Sequence, residues 1–271
     1  MRWLRVFTHL GMGTLSLLWL YPIIWMISAS VQPEGAFFTG NIWPSKLDFS
    51  GYERAWNAGQ FNRYFFNSFV ITTSVILITL FVTSLSGYVI GRYPFKGKKI
   101  VVAVLVASVF IPVESSVITV FQLIKDMGLL NSLAGIILVE AGSGNIMFIL
   151  LFAGYFRKMP KELQEAAIMD GSGFFRTFVS IILPLAKPVI VTVTVMQFIW
   201  SWNSFLMPLV LTLSKPELRT LAVGLYALKG ENVVDWTGIA AGATISLVPV
   251  MLIFLFLQRY FVNGLAGSIK G

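Results

Sequence analysis

Long apolar runs alternate with short polar segments along this chain. Crossing roughly 30 Å of hydrocarbon takes about 20 apolar residues in a helix. Six stretches reach that length, near 10–30, 68–91, 100–121, 134–156, 186–212 and 239–260. A backbone in hydrocarbon must satisfy its own amides, so uninterrupted runs of this kind predict helices. The expected fold class is all-α, a polytopic membrane protein with six transmembrane helices. The first run follows Arg2 and Arg5 and ends at Ser28-Ala29-Ser30, a layout shared with signal peptides. It is longer than the roughly 7–15 residues of a signal-peptide core and is read as a retained span.

The polar segments divide into two kinds. Residues 31–67 are rich in aromatics and turn formers, including Trp43-Pro44, Trp56 and Tyr64, and residues 213–238 mix both charge signs around LRTLAVGLYALKGENVVDW. Both are too polar for spans and too long for tight turns. They read either as functional loops or as solvated connections. The chain thus divides into a first helix with its loop at 1–66, a transmembrane core at 67–260 and a tail at 261–271.

Composition agrees with this division. Of 271 residues, 56% are hydrophobic and 12% charged, against roughly 25% charged in a soluble domain. The net charge of +8 is explained by topology, because Lys and Arg gather on the cytoplasmic side of spans. With the N-terminus inside, the inner segments hold thirteen Lys and Arg and the outer segments seven, which puts both termini in the cytoplasm. The cations flank apolar spans and form no basic face, which excludes nucleic acid as a partner. With no Cys there is no disulfide framework. His9 is the one His, so no His-based metal cluster exists, and His9 is placed at the membrane interface.

The other kind of polar segment is RKMPKELQEAAIMDGSGFFRTFVSIILPLAKP, residues 157–188. Pro160 suits a first helical turn, and Glu162 lies near the positive helix end. Gly171 is a helix stop, since it takes left-handed angles without a Cβ clash. Ser172 is placed to cap a second helix, and Pro184 and Pro188 mark the approach to the next span. Leu163, Ala166, Ala167 and Asp170 share one face by their i, i+3, i+4, i+7 spacing. A face of small residues edged by carboxylates suits docking in a partner's groove. The competing reading is a helix lying on the membrane surface, which the Ala-rich face weakens.

Glu165-Ala166-Ala167, three residues, Gly171, nine residues, then Ile181-x-Leu183-Pro184 resembles the EAA signature of bacterial ABC importer permeases. RYFFNSFVITT at 63–73, MGLLNSLAGIIL at 127–138, FIWSWNSFLMPLVL at 198–211 and LQRYFVNGLAGSIKG at 257–271 are similar to the carbohydrate-uptake branch, in particular to the smaller permease of maltose-type systems. The resemblance implies a type I ABC importer permease fold in a bacterial or archaeal cytoplasmic membrane. It implies that 161–171 is the cytoplasmic coupling helix, with Glu165, Ala166, Ala167, Asp170 and Gly171 as ATPase-coupling residues. It further implies a homologous second permease, two ATP-binding subunits and an extracytoplasmic solute-binding protein as partners. The loop at 213–238 would meet the binding protein, and Asn263 to Gly271 would reach the ATPase. Relatives often carry Glu where this chain has Ser204, a departure read as tuning of the pathway or packing.

The absences fit. A P-loop needs G-x-x-x-x-G-K-[ST]. The nearest stretch, Gly91 to Lys99, has the wrong glycine spacing and Lys99 in place of Ser or Thr. The chain is therefore read as a transport subunit with no cofactor of its own, ATP and Mg²⁺ residing on partner subunits. A secondary transporter working without ATP would place ionisable groups inside the membrane. Glu114, near the outer end of the third span, and Glu140, in the fourth, come closest. Sugar sites pair aromatic faces with hydrogen-bonding groups, which makes Glu140, Asn145, Gln197, Trp200, Trp202 and Asn203 candidates to line a substrate pathway. Interhelical packing and hydrogen bonding explain the same residues, and in maltose-type systems the other permease can make most of the sugar contacts. The expected substrate is a sugar or oligosaccharide, with glycerol phosphate or another polyol derivative as the alternative.

Overall fold

The structure, a computed structural model, describes residues 2–38, 41, 43–58, 60–111, 116–143, 145–229 and 234–268. For Arg2, Leu4, Ala58 and residues 259–268 only the backbone is described. Among the described residues the regular elements are all helices. In chain order they are α1 (Arg2–Ala29), α2 (Phe61–Arg92), α3 (Lys98–Ser108), α4 (Val117–Asp126), α5 (Leu133–Gly142) and α6 (Asn145–Lys158). There follow α7 (Glu162–Met169), α8 (Phe174–Leu185), α9 (Lys187–Trp202), α10 (Leu206–Leu211), α11 (Leu221–Ala227) and α12 (Trp236–Ser268).

Three helices are long and apolar enough to cross a membrane: Arg5–Ala29, Phe61–Arg92 and Trp236–Gln258. Two bent pairs, α5 with α6 at 49° and α8 with α9 at 80°, raise the number to as many as five. The six expected runs therefore correspond to between three and five spans. The third run, 100–121, meets α3 and α4, and residues 112–115, with Glu114, lie outside the described residues. The fourth run is bent beyond Gly142, where Ser143 takes extended backbone.

The fifth run, 186–212, is two helices. The Asn203 side chain donates to the Ile199 carbonyl at 2.8 Å, a competition with the helical ladder that ends α9. The bend at Ala186 has a proline cause. Pro188 has no N–H to offer the Pro184 carbonyl four residues earlier, and Ala186 sits at φ −86°, ψ 12°.

The chain forms two compact units. One comprises Met1–Phe66 and Thr220–Pro249. Within it, no residue of the apolar window of α1 is buried, and Ser30 just beyond it hydrogen-bonds the Tyr52 hydroxyl at 2.7 Å. The other comprises Asn67–Arg219 and Val250–Gly271. Its main core is aromatic: Tyr88 of α2, Phe148, Phe152 and Phe156 of α6, Phe178 and Ile182 of α8, and Val189 and Val193 of α9. A second core gathers Ile71, Val75, Ile124, Ile136 and Leu211.

Helix α2 meets α6 through Gly87 and Gly91, four residues apart. A Cβ on Gly87 would lie 2.4 Å from the Phe152 Cβ, and one on Gly91 would lie 2.8 Å from the Ala153 carbonyl oxygen. This is the small-residue packing by which membrane helices approach closely without a hydrophobic driving force.

Candidate functional site

The segment that the sequence marks for coupling folds as one short helix with a defined stop. Helix α7 begins one residue after Lys161, whose carbonyl accepts from Gln164 at 2.9 Å and Glu165 at 3.1 Å. Pro160 lies ahead of the helix rather than in its first turn. At the other end the Gly171 N–H bonds the Ile168 carbonyl and the Ser172 N–H the Ala167 carbonyl, both at 2.9 Å, and Gly171 has φ +78°. This is the paired closure of a Schellman motif, which wants a residue without a Cβ at the left-handed position. Nothing lies within 4 Å of a Cβ at Gly171, so its requirement is conformational and not steric. Ser172 does not cap the next helix. The N-cap is Gly173, without a side-chain bond, and the Ser172 hydroxyl is buried with no partner, because the Schellman turn consumes the residue that sequence pattern assigned as the cap.

The four positions expected to share one face differ in burial. Ala167 is buried, whereas Leu163, Ala166 and Asp170 are exposed, as are Glu165 and Gly171. Ala167 is the side on which α7 rests against its own unit. The outward surface includes Ile168, 55% exposed, and Met169, 87% exposed. Sequence reasoning passed over both, since neither falls in the i, i+3, i+4 set.

Two features tie α7 to the helical core. The Arg92 guanidinium, at the end of α2, donates from Nη1 to the Met159 carbonyl and from Nη2 to the Pro160 carbonyl, each at 2.7 Å. It thus grips the backbone at the entry to α7. Beyond the Gly171 turn, α8 carries Phe178, which stacks on Tyr88 of α2 at 5.1 Å and 28°. Five residues of α8, Phe178–Ile182, wind as a π-helix, a local form that often marks functional sites. Counted in the sequence as one inner cation among thirteen, Arg92 gave no sign of this role.

The pathway candidates separate. Glu140 is buried, and Ser201 Oγ donates to its Oε2 at 2.5 Å. The other carboxyl oxygen, Oε1, is buried with no partner, and Thr72 bonds the Ser201 hydroxyl at 3.4 Å. Gln197 is buried with its Oε1 unpartnered. Trp202 is buried and stacks on Phe198 at 5.3 Å. Trp200 stacks on Phe148 at 5.1 Å and is 43% exposed. Asn203 is exposed, and Asn145 turns back to bond the Ala141 carbonyl. The structure therefore joins Glu140 to α9 through Ser201, which the sequence reading did not name, and it leaves Trp200 and Asn203 exposed.

The long loops expected outside the membrane converge in their own unit. Arg54 donates to Asp235 from Nε at 2.8 Å and from Nη2 at 3.0 Å, and it reaches Thr237 and Ser50 at 2.8 and 2.9 Å. Asp235 also accepts from the Gly238 N–H at 2.8 Å, capping the first turn of α12. The Arg54 guanidinium holds the Asp235 carboxyl below the usual carboxylate range, and Asp235 in turn raises Arg54. Phe37 stacks on Trp236 at 5.5 Å. Residues 230–233 of the second loop lie outside the described residues.

Taken together, these features define a polytopic helical membrane protein with a short polar helix gripped at both ends. The chain belongs to the family described as binding-protein-dependent transport system inner membrane component, which residues 84–267 match. It is 34% identical to the arabinooligosaccharides transport system permease protein AraQ of Bacillus subtilis over 98% of this chain and 96% of AraQ. It is 29% identical to the melibiose/raffinose/stachyose import permease protein MelC of the same organism, over 92% of this chain and 91% of MelC. A chain from the crystal structure of a bacterial ABC transporter involved in the import of the acidic polysaccharide alginate superposes with a TM-score of 0.83 at 25% identity, covering 96% of this chain and 97% of that one. The protein is thus a permease subunit of an ABC importer, and ATP hydrolysis belongs to partner subunits.

Proposed function

We propose that this chain is one of two related permeases in an importer of a sugar or oligosaccharide, driven by two ATP-binding subunits and fed by an extracytoplasmic binding protein. The single observation that carries the mechanism is the mounting of α7, gripped by Arg92 at its entry and closed by the Gly171 turn at its exit. A helix held this way transmits a push instead of yielding to it. Glu165, Ala166, Asp170 and Gly171 lie on its exposed side with Ile168 and Met169, and this side docks on the ATP-binding subunit. Ala167 lies beneath it. When the ATP-binding subunits close, the push passes through Arg92 to α2 and through α8 to the Tyr88–Phe178 stack, and the bundle rocks between inward and outward access. Such a shift requires contacts that differ between the two states, and the docked α7 provides them.

In this reading both termini are cytoplasmic, in keeping with the thirteen to seven distribution of Lys and Arg, and the apolar run that begins with α3 is counted as a sixth span. The Arg54–Asp235 joint faces the binding protein, and the C-terminal tail meets the ATPase. The carbohydrate assignment is supported by the names of AraQ and MelC. Trp200 and Asn203 are the pathway candidates left accessible, and Glu140 positions α9.

The test is the ATPase activity of the assembled complex in lipid, with and without a loaded binding protein, across a sugar panel. Stimulation by one loaded binding protein is expected, and Gly171→Val should reduce it about tenfold, since a β-branched residue resists positive φ. Normal transport and stimulation in that variant would sink the coupling role. Solute movement without ATP would overturn the importer reading.

A further inference from the structure

An open cleft of about 1410 Å³ lies beside α7, walled by the end of α2, the start of α3 and one side of α6. Five cations line it, namely Arg92, Lys98, Lys99, Arg157 and Lys161, with Glu165 the sole carboxylate among the described lining residues. Among the described residues none of the five forms an ion pair. Lys98 spends one bond on the Tyr93 carbonyl. Arg92 engages two carbonyls yet keeps its Nε buried with no acceptor. Helix α3 opens at Gly97 with no acidic residue in its first turn and no side-chain cap, so its positive dipole end adds to the two lysines instead of offsetting them.

Apart from Gln164, the rest of the wall is apolar. Ile100, Val102, Ala103 and Leu150 continue from the cations along α3 and α6, and these positions fall within the runs 100–121 and 134–156 that are read as spans. A soluble anion matches the cations and leaves this wall bare. An acidic protein segment likewise has no counterpart for residues that face hydrocarbon. A phosphodiester on an acyl chain matches both, with charge-assisted bonds at one end and apolar burial along the other.

We propose that this cleft is a binding site for an anionic phospholipid, its phosphate among the five cations and its chain along α3 and α6. The assignment rests on the inner-side placement of these segments proposed above. Lys161 and Glu165 belong to the coupling segment, so an occupied cleft ties α7 to α3 through the lipid head group, and the lipid becomes part of the mounting on which coupling depends.

Native mass spectrometry on the full-length chain tests this directly, after equilibration with phosphatidylglycerol or with phosphatidylcholine of the same acyl chains. The chain should retain phosphatidylglycerol in preference. Lys98→Gln with Lys99→Gln should weaken retention roughly thirtyfold, as expected for two cations near a membrane surface, and Arg157→Gln should weaken it less. Lys215→Gln with Lys229→Gln, on the other long loop, should leave it unchanged. Equal retention of the two lipids, or undiminished phosphatidylglycerol in both cleft variants, overturns the proposal. So does inorganic phosphate binding without lipid retention, or an acidic peptide of the ATP-binding subunit crosslinking to Lys99 in place of lipid. Because binding is read on the chain itself, a complex that fails to transport leaves this result standing.

Discussion

The segment around α7 and the joint at Arg54 and Asp235 are held by opposite means. At α7 the fixings are made to the backbone: two carbonyls gripped by Arg92, and a helix end closed by the φ of Gly171. Side chains there remain free to meet something else, as the exposure of Ile168 and Met169 shows. At the other joint, side chains are spent on one another. Arg54 uses its guanidinium on Asp235, Ser50 and Thr237, and Asp235 is shared with the start of α12. The difference separates a surface kept available for a moving partner from a knot that holds loops in shape.

The largest expected effect comes from the close contact between α2 and α6. Gly87→Leu drives a side chain into Phe152, and overpacking of this kind should cost about 3 kcal/mol. Loss of monodisperse protein on size exclusion would confirm it, and a normally folded variant would show that α2 and α6 can part.

Arg92→Gln should follow, at about 2–3 kcal/mol for the loss of charged hydrogen bonds to two carbonyls. It is also expected to uncouple ATPase stimulation while ATP-binding subunits still dock. Stimulation that survives unchanged would remove Arg92 from the lever.

Arg54→Ala sharpens the contrast. It should destabilise by about 2 kcal/mol, read as a lower Tm of the purified chain, yet leave basal ATPase of the assembled complex intact. Loss of basal ATPase in Arg54→Ala would erase the distinction between the two regions.

Gly171→Val should cost about 1–2 kcal/mol through its left-handed backbone, with Gly171→Asn milder because Asn tolerates that region. Equal damage by both would mean that the space around Gly171, and not its φ, is what matters.

The smallest effect is one of pH. The Asp235 carboxyl lies below its ordinary value of 3.8 in the fold, first through the Arg54 bond. A carboxylate with a lowered folded-state pKa contributes stability that is complete above the unfolded pKa and fades as pH falls through the folded one. Wild-type Tm should therefore fall more steeply than that of Asp235→Asn below about pH 4. Parallel curves would show that the pair is screened by solvent, as its partial exposure permits.

Much of the architecture was legible in the pattern of residues. Three of the six apolar runs hold a helix that passes for a span and two more overlap a bent helix pair, and Glu162–Met169 forms where the polar segment predicted it. The glycine stop at 171 was legible because a left-handed φ has few compatible residues. The break at Ala186 falls where Pro184 and Pro188 mark the approach to a span, but those at Ser143 and Asn203 were not legible, since hydropathy is blind to where a ladder of hydrogen bonds is interrupted. The Gly87/Gly91 contact had a signal in its spacing that went unread. Arg92 and Ser201 had none, because their roles depend on which carbonyl or carboxyl stands opposite.

Local chemistry decided which stretches are apolar helices, where a glycine must stop one, and that this chain carries no phosphate-binding loop. Those outcomes depend on one segment and its solvent. Tertiary structure alone decided that Arg92 would find Met159 and Pro160 across 67 and 68 residues, that Arg54 would find Asp235 across 181, and that Glu140 would meet Ser201 across 61. A directional bond needs its partner within about 3 Å, and only the packed chain brings residues so distant in sequence that close.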